Sequence, residues 1–136
     1  MFNSGLVTGG ILSTVFAIGM LKSFMDPARR LGAAVFFLGA VSLMCIGVFS
    51  ESAGMIHFYV SVAFFALTPI SLLLMGAGYA LAGSKKFGAL TVVIGVLVAL
   101  PWAFGWSAVA VPEMLSAIAA TAWSAIQGVK LFSSRP

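Results

Sequence analysis

The sequence predicts an all-α fold, a polytopic membrane bundle of five transmembrane helices in one domain spanning residues 1–136. Three observations predict it. The chain is 62% hydrophobic and only 7% charged, where a soluble domain carries about 25% charged residues. Its mean hydropathy is +1.17. Its apolar residues fall into five runs near the ~20 residues a membrane span requires. A soluble fold of this length exposes too much of its surface to hide so much apolar area. In lipid the difficulty disappears, because apolar side chains face apolar tails.

The first helix is expected over 5–24 and carries Lys22 near its end. No Lys or Arg precedes it in Met1 to Ser4, so it lacks the basic start of a secretory signal and is expected to be retained. The second is expected over 30–49. Pro27 disfavours helix at Asp26 and suits the start of the next segment. Ser50-Glu51-Ser52-Ala53-Gly54 is a cluster of turn and cap formers. The third helix, over 54–82, exceeds the usual span. Pro69 near its middle removes a backbone hydrogen bond, and tilt or a kink accommodates the extra length. Gly83-Ser84-Lys85-Lys86 separates it from the fourth, over 86–106. The fifth runs over 111–132, with Pro112 in its first turn. No linker is long enough to divide the chain into two domains.

The net charge is +4 and the pI about 9.7. The basic residues lie at segment ends rather than in a patch interleaved with aromatics, which excludes nucleic acid as a partner. Lys22, Arg29, Arg30, Lys85, Lys86, Lys130 and Arg135 all fall on one side of a five-span topology. The other side holds Glu51, His57 and Glu113. The positive-inside rule then puts the N-terminus outside and the C-terminus in the cytoplasm, in the plasma membrane. Arg29-Arg30-Leu31-Gly32-Ala33 and Lys85-Lys86-Phe87-Gly88-Ala89 share a pattern that Gly39 and Gly95 extend. It reads either as two parallel hairpin repeats or as the ordinary start of a helix after a basic loop.

His57 is the one histidine, and Ser61, Phe64, Thr68 and Ser71 follow it on one helical face. Polar groups in membrane helices face the bundle interior or a wet cavity. The functional reading of this face is a ligand site or proton relay. The structural reading is that its hydroxyls bond nearby carbonyls. Glu51 either orients His57 or sits at a helix N-terminus, where the dipole favours it. Glu113 suits the first turn of the last helix, and Asp26 suits a loop or a cap. Tyr59, Trp102 and Trp106 fit an interfacial belt, and the two tryptophans could instead wall a pocket with Phe64 and Phe65. Gly5 and Gly9 have the spacing of a close helix crossing, within the bundle or between copies. Cys45, alone in an apolar run, reads as a small core residue. One His and one Cys cannot build a zinc site, and no phosphate-cradling loop is present. No cofactor and no metal are expected.

The run Gly47-Val48-Phe49-Ser50-Glu51, followed by Ile56-His57-Phe58, Ser61, Phe64-Phe65 and Pro69-Ile70-Ser71 and ending near Gly76, resembles the archaeal branch of the family called domain of unknown function 998. Phe2-Asn3-Ser4-Gly5-Leu6 is similar to the start of that family's second helix. The resemblance covers most of the chain, although Ser50 stands where a proline is common. It implies a multi-spanning membrane protein without an established activity, distantly similar to eukaryotic membrane proteins of which some are linked to lipid processing. It also implies that a further helix usually precedes the part matched. This chain would then be a short form, a truncation, or one completed by a partner helix.

The expected function is binding of a lipid or small amphiphile in an outward-facing pocket, or service as a small membrane subunit. Glu51, His57, Ser61, Phe64, Phe65 and Thr68 would form the ligand site, with no catalytic residue among them. Expected partners are membrane lipids, with self-association or a partner membrane helix as further candidates. A small or proton-coupled carrier is the second reading, and a lipid-modifying enzyme using Glu51, His57 and a nearby serine the third.

Overall fold

The computed structural model describes residues 2–133. Arg135, assigned above to the basic side, lies outside them. Five helices follow in order: α1 (Phe2–Ser23), α2 (Pro27–Val48), α3 (Met55–Leu81), α4 (Lys85–Ala99) and α5 (Ala110–Ser133). Short 3-10 helices precede α3 (Glu51–Ala53) and follow α4 (Leu100–Ala103). No strand occurs among the described residues. All five helices, α4 with its extension, are long and apolar enough to cross a membrane. The chain is a multi-pass membrane protein.

The ends are set by local chemistry. The Asp26 carboxylate accepts a hydrogen bond from the Arg29 N–H at 2.8 Å, capping α2, and Pro27 opens the helix. Gly54, at φ 61°, turns the chain into α3, and Gly83, at φ 88°, turns it out. Both adopt a backbone that a side chain disfavours. The expectation of a fourth helix over 86–106 needs correction. Regular α-helix stops at Ala99, because Pro101 has no N–H to continue the ladder. Residues 104–109 are irregular.

The helices pack in chain order, each against the next, and glycines bring the first four close. A Cβ added to Gly10 would lie 2.6 Å from the Met44 nitrogen, and one on Gly47 would lie 2.7 Å from the Asn3 carbonyl. Gly78 is as tight against Arg29, and Gly88 against Gly76. Gly5 and Gly9 do not make the close crossing their spacing suggests. Nothing lies within 4 Å of the Gly5 position, and only Leu43, at 3.9 Å, nears that of Gly9. The two hairpins do not repeat each other's packing either. Gly32 and Gly39 face the helix that follows them, whereas Gly88 and Gly95 face the helix that precedes them. In both cases that helix is α3, which is central. Cys45 is half-buried and free.

Attachment of α5 is different. Trp123 and Gln127 project from it and are fully buried. The Trp123 indole N–H donates to the Thr91 hydroxyl at 3.2 Å, and its ring meets Phe36 at 5.7 Å. Tyr79 donates to Gln127 Oε1 at 2.9 Å, and Gln127 Nε2 donates back to the Tyr79 oxygen at 2.7 Å. Ser116 donates to the Val98 carbonyl and accepts from the Trp102 indole. At the basic end of the bundle, the Arg29 guanidinium lies 4.9 Å from the Tyr79 ring, and Lys130 Nζ lies 4.6 Å from that of Phe87. These are cation–π distances.

Two predictions follow from this packing. Gly10→Ala and Gly78→Ala each lose about 1–3 kcal/mol of stability by overpacking against backbone, while Gly5→Ala loses none. Unfolding in micelles measures this, and equal stability of all three contradicts the assigned contacts. The second concerns Asp26, outside the spans. Burial pushes its carboxyl up, but the Arg29 N–H, guanidinium and charge outweigh burial and hold it below its ordinary value. Its stabilising contribution is therefore complete at neutral pH and fades as acid protonates it, below about pH 4. Asp26→Asn removes that part of the acid sensitivity, and an unchanged acid profile contradicts it.

Candidate functional site

Ser116, Trp123 and Gln127 tie α5 to α3, to α4 and to the 3-10 turn after α4, and none of these bonds reaches α1. At the basic end α1 and α5 approach: the Gly128 Cβ position lies 3.9 Å from the Phe16 ring. Toward the acidic end a cavity of about 1150 Å³ lies between them. This slightly exceeds the ~300–1,000 Å³ typical of small-molecule pockets. Gly5, Gly9 and Leu12 of α1 form one wall, and Met114, Ala117 and Thr121 of α5 form the facing one. Leu43 and Ile46 of α2 and Phe64 and Phe65 of α3 complete the apolar lining. Phe36 bounds the deep end, where its ring meets Phe16 at 6.1 Å and Trp123 at 5.7 Å. Beyond Phe16, a smaller cavity of about 230 Å³ lies between α1 and α5 at the basic end.

The six residues singled out in sequence, Glu51, His57, Ser61, Phe64, Phe65 and Thr68, all line the large cavity. They do so in different ways. Thr68 is buried and donates to the Phe64 carbonyl at 2.7 Å, so its hydroxyl is already bonded within α3. Phe65 is wedged between Phe64, at 4.9 Å, and Trp102, at 4.8 Å. Trp102 therefore backs the aromatic wall without lining the cavity. Ser71, on the same face, lies deeper in the α2–α3 contact and donates to the Thr68 carbonyl.

At the mouth, His57 Nδ1 lies 2.7 Å from the Phe49 carbonyl oxygen. A carbonyl only accepts, so Nδ1 carries the proton and Nε2 is the nitrogen left for another partner. The backbone, not Glu51, orients this histidine. Glu51 instead opens the 3-10 helix before α3. The Ser50 and Ser52 hydroxyls bond each other at 2.8 Å. No serine–histidine bond of the kind a hydrolytic triad needs exists among the described residues.

A family model described as a protein of unknown function, DUF998, matches residues 1–130. The chain belongs to the DUF998 family. No curated protein and no solved structure matches it. The family's description assigns no activity, so the chemistry of this DUF998 member must be read from the cavity itself.

Sequence reasoning gave too little weight to α5. Glu113 lines the cavity within electrostatic reach of both His57 and Glu51. Ala117, Ala120, Thr121 and Ser124 continue its face at helical spacing. That run of small and polar residues behind an acidic one was the available signal. Asn3 and Ser13 of α1 were also missed. No periodic pattern marks them, because α1 meets the cavity along a mainly glycine and leucine surface.

Proposed function

We propose that this protein binds a lipid or another amphiphile in the cavity between α1 and α5, with the acidic end facing outward across the plasma membrane. One observation carries the reading: a cavity of about 1150 Å³ with apolar walls and its charged groups confined to one end. An amphiphile has the same division. Its chains would lie along Leu12, Leu43, Phe64 and Phe65, and its head beside Glu51, His57 and Glu113. The described basic residues support the orientation, since Lys22, Arg29, Arg30, Lys85, Lys86 and Lys130 gather at the opposite end. Service as a small membrane subunit is compatible with the same site.

A carrier is the second reading. Its specific support is that the two cavities lie on either side of the Phe16–Phe36–Trp123 aromatic contact. Transport would require that contact to part.

Native mass spectrometry of the protein extracted from its membrane tests the binding reading. The wild type is expected to carry an amphiphile adduct, and Gly9→Phe, which fills the α1 wall where the backbone has room, to lose it while remaining folded. His57→Ala is expected to weaken it. An empty wild type, or an adduct indifferent to both substitutions, overturns the proposal. Substrate accumulation in reconstituted vesicles under a pH gradient would favour the carrier.

A further inference from the structure

The polar inventory of the cavity mouth restricts the head group it can take. Glu51 and Glu113 are carboxylates that only accept hydrogen bonds when ionised. No ion pair or hydrogen bond neutralises either carboxylate among the described residues. The proton on His57 Nδ1 is committed to the Phe49 carbonyl, which leaves Nε2 as the ring nitrogen for a third contact. Asn3, Ser50 and Ser52 add an amide and two hydroxyls. Among the described residues no Lys or Arg lines the cavity, and all of them lie at the other end of the bundle.

An anionic head group fits such a mouth poorly. Phosphate or sulfate would meet two carboxylates in a partly desolvated site with no Lys or Arg among the described residues that line it. A hydroxyl head finds acceptors but leaves both negative charges uncompensated. A protonated amine has three donors and one positive charge. It can meet Glu51, Glu113 and His57 Nε2 together, with its chain continuing into the apolar body toward Phe36. The way in is the space between α1 and α5, which wall the cavity from both sides.

We infer that the ligand of this cavity is an amphiphile whose head group carries a protonated amine, held by Glu51, Glu113 and His57. The inference rests on the amphiphile-binding reading above and adds the head group to it. Charge-assisted hydrogen bonds give roughly a tenfold or greater preference over a neutral head.

The test offers the full-length protein in neutral detergent an equimolar mixture of dodecylamine, dodecanol and dodecyl sulfate near neutral pH, and reads the adducts by native mass spectrometry. All three probes share one chain, so only the head differs. The amine adduct is expected to exceed the other two by roughly tenfold or more. Replacing both carboxylates, Glu51→Gln with Glu113→Gln, is expected to bring the amine down to the level of the alcohol. Equal binding of all three, a preference for the sulfate, or an amine preference that survives the double substitution overturns the head-group assignment while leaving the cavity's role intact. A wild type that takes none of the probes, or whose cavity is closed in a dimer, overturns both. The wild-type comparison decides the matter even where the double variant fails to fold.

Discussion

Trp123 and Gln127 hold α5 to the bundle by side-chain hydrogen bonds rather than by backbone approach, and the cavity exists because of that difference. In lipid, burying apolar surface does little to drive one helix onto another, so close packing and interhelical hydrogen bonds decide which helices meet. Helices α1 to α4 use the first device, with Gly10, Gly47, Gly78 and Gly88 each set against the backbone of a neighbouring helix. Helix α5 uses the second. An unpaired amide in hydrocarbon costs several kcal/mol, on the order of 2–7 by transfer measurements, so Gln127 requires Tyr79. Bonds of this length span a wider gap than a glycine crossing. With the Ser116 bond to the Val98 carbonyl they fix α5 against α3 and α4, and none of them reaches α1.

The two ends of the bundle consequently have opposite characters. At the basic end, Tyr79 is surrounded by Phe24 at 5.8 Å, Phe87 at 4.7 Å, the Arg29 guanidinium and the Lys130 ammonium. Aromatic faces meet the cations there. At the acidic end, side chains that could have filled the space are small: glycine in α1, alanine, serine and threonine in α5. The polar groups there are fixed by local backbone, as His57 is by the Phe49 carbonyl. They are held in place without using all their bonding capacity, which is the condition a binding site requires. Burial and bonding are also consistent across the molecule, because no buried side-chain polar atom lacks a partner among the described residues.

The five spans were legible because a membrane imposes length and apolarity, and the chain meets both with short breaks between. The gathering of Glu51, His57, Ser61, Phe64, Phe65 and Thr68 on one cavity was legible too, since all but Glu51 share one face of one helix. What escaped is whatever depends on two helices distant in sequence. Tyr79 and Gln127 are 48 residues apart, and nothing local pairs them, although a glutamine alone in an apolar span signals that a partner exists. Pro101 was read through because the apolar run continues past it to Trp106. The crossing motif at Gly5 and Gly9 makes no close approach within the bundle for a related reason: small residues permit close approach but do not require it, and here they border a cavity.

A structure determined at high resolution in a lipid bilayer tests the account most directly. The expected result is α5 tied through Trp123 to Thr91 and through Gln127 to Tyr79, with elongated density in the space between α1 and α5 and its head beside Glu51, His57 and Glu113. Helices α1 and α5 packed together along their whole length, with no space between them, would contradict it.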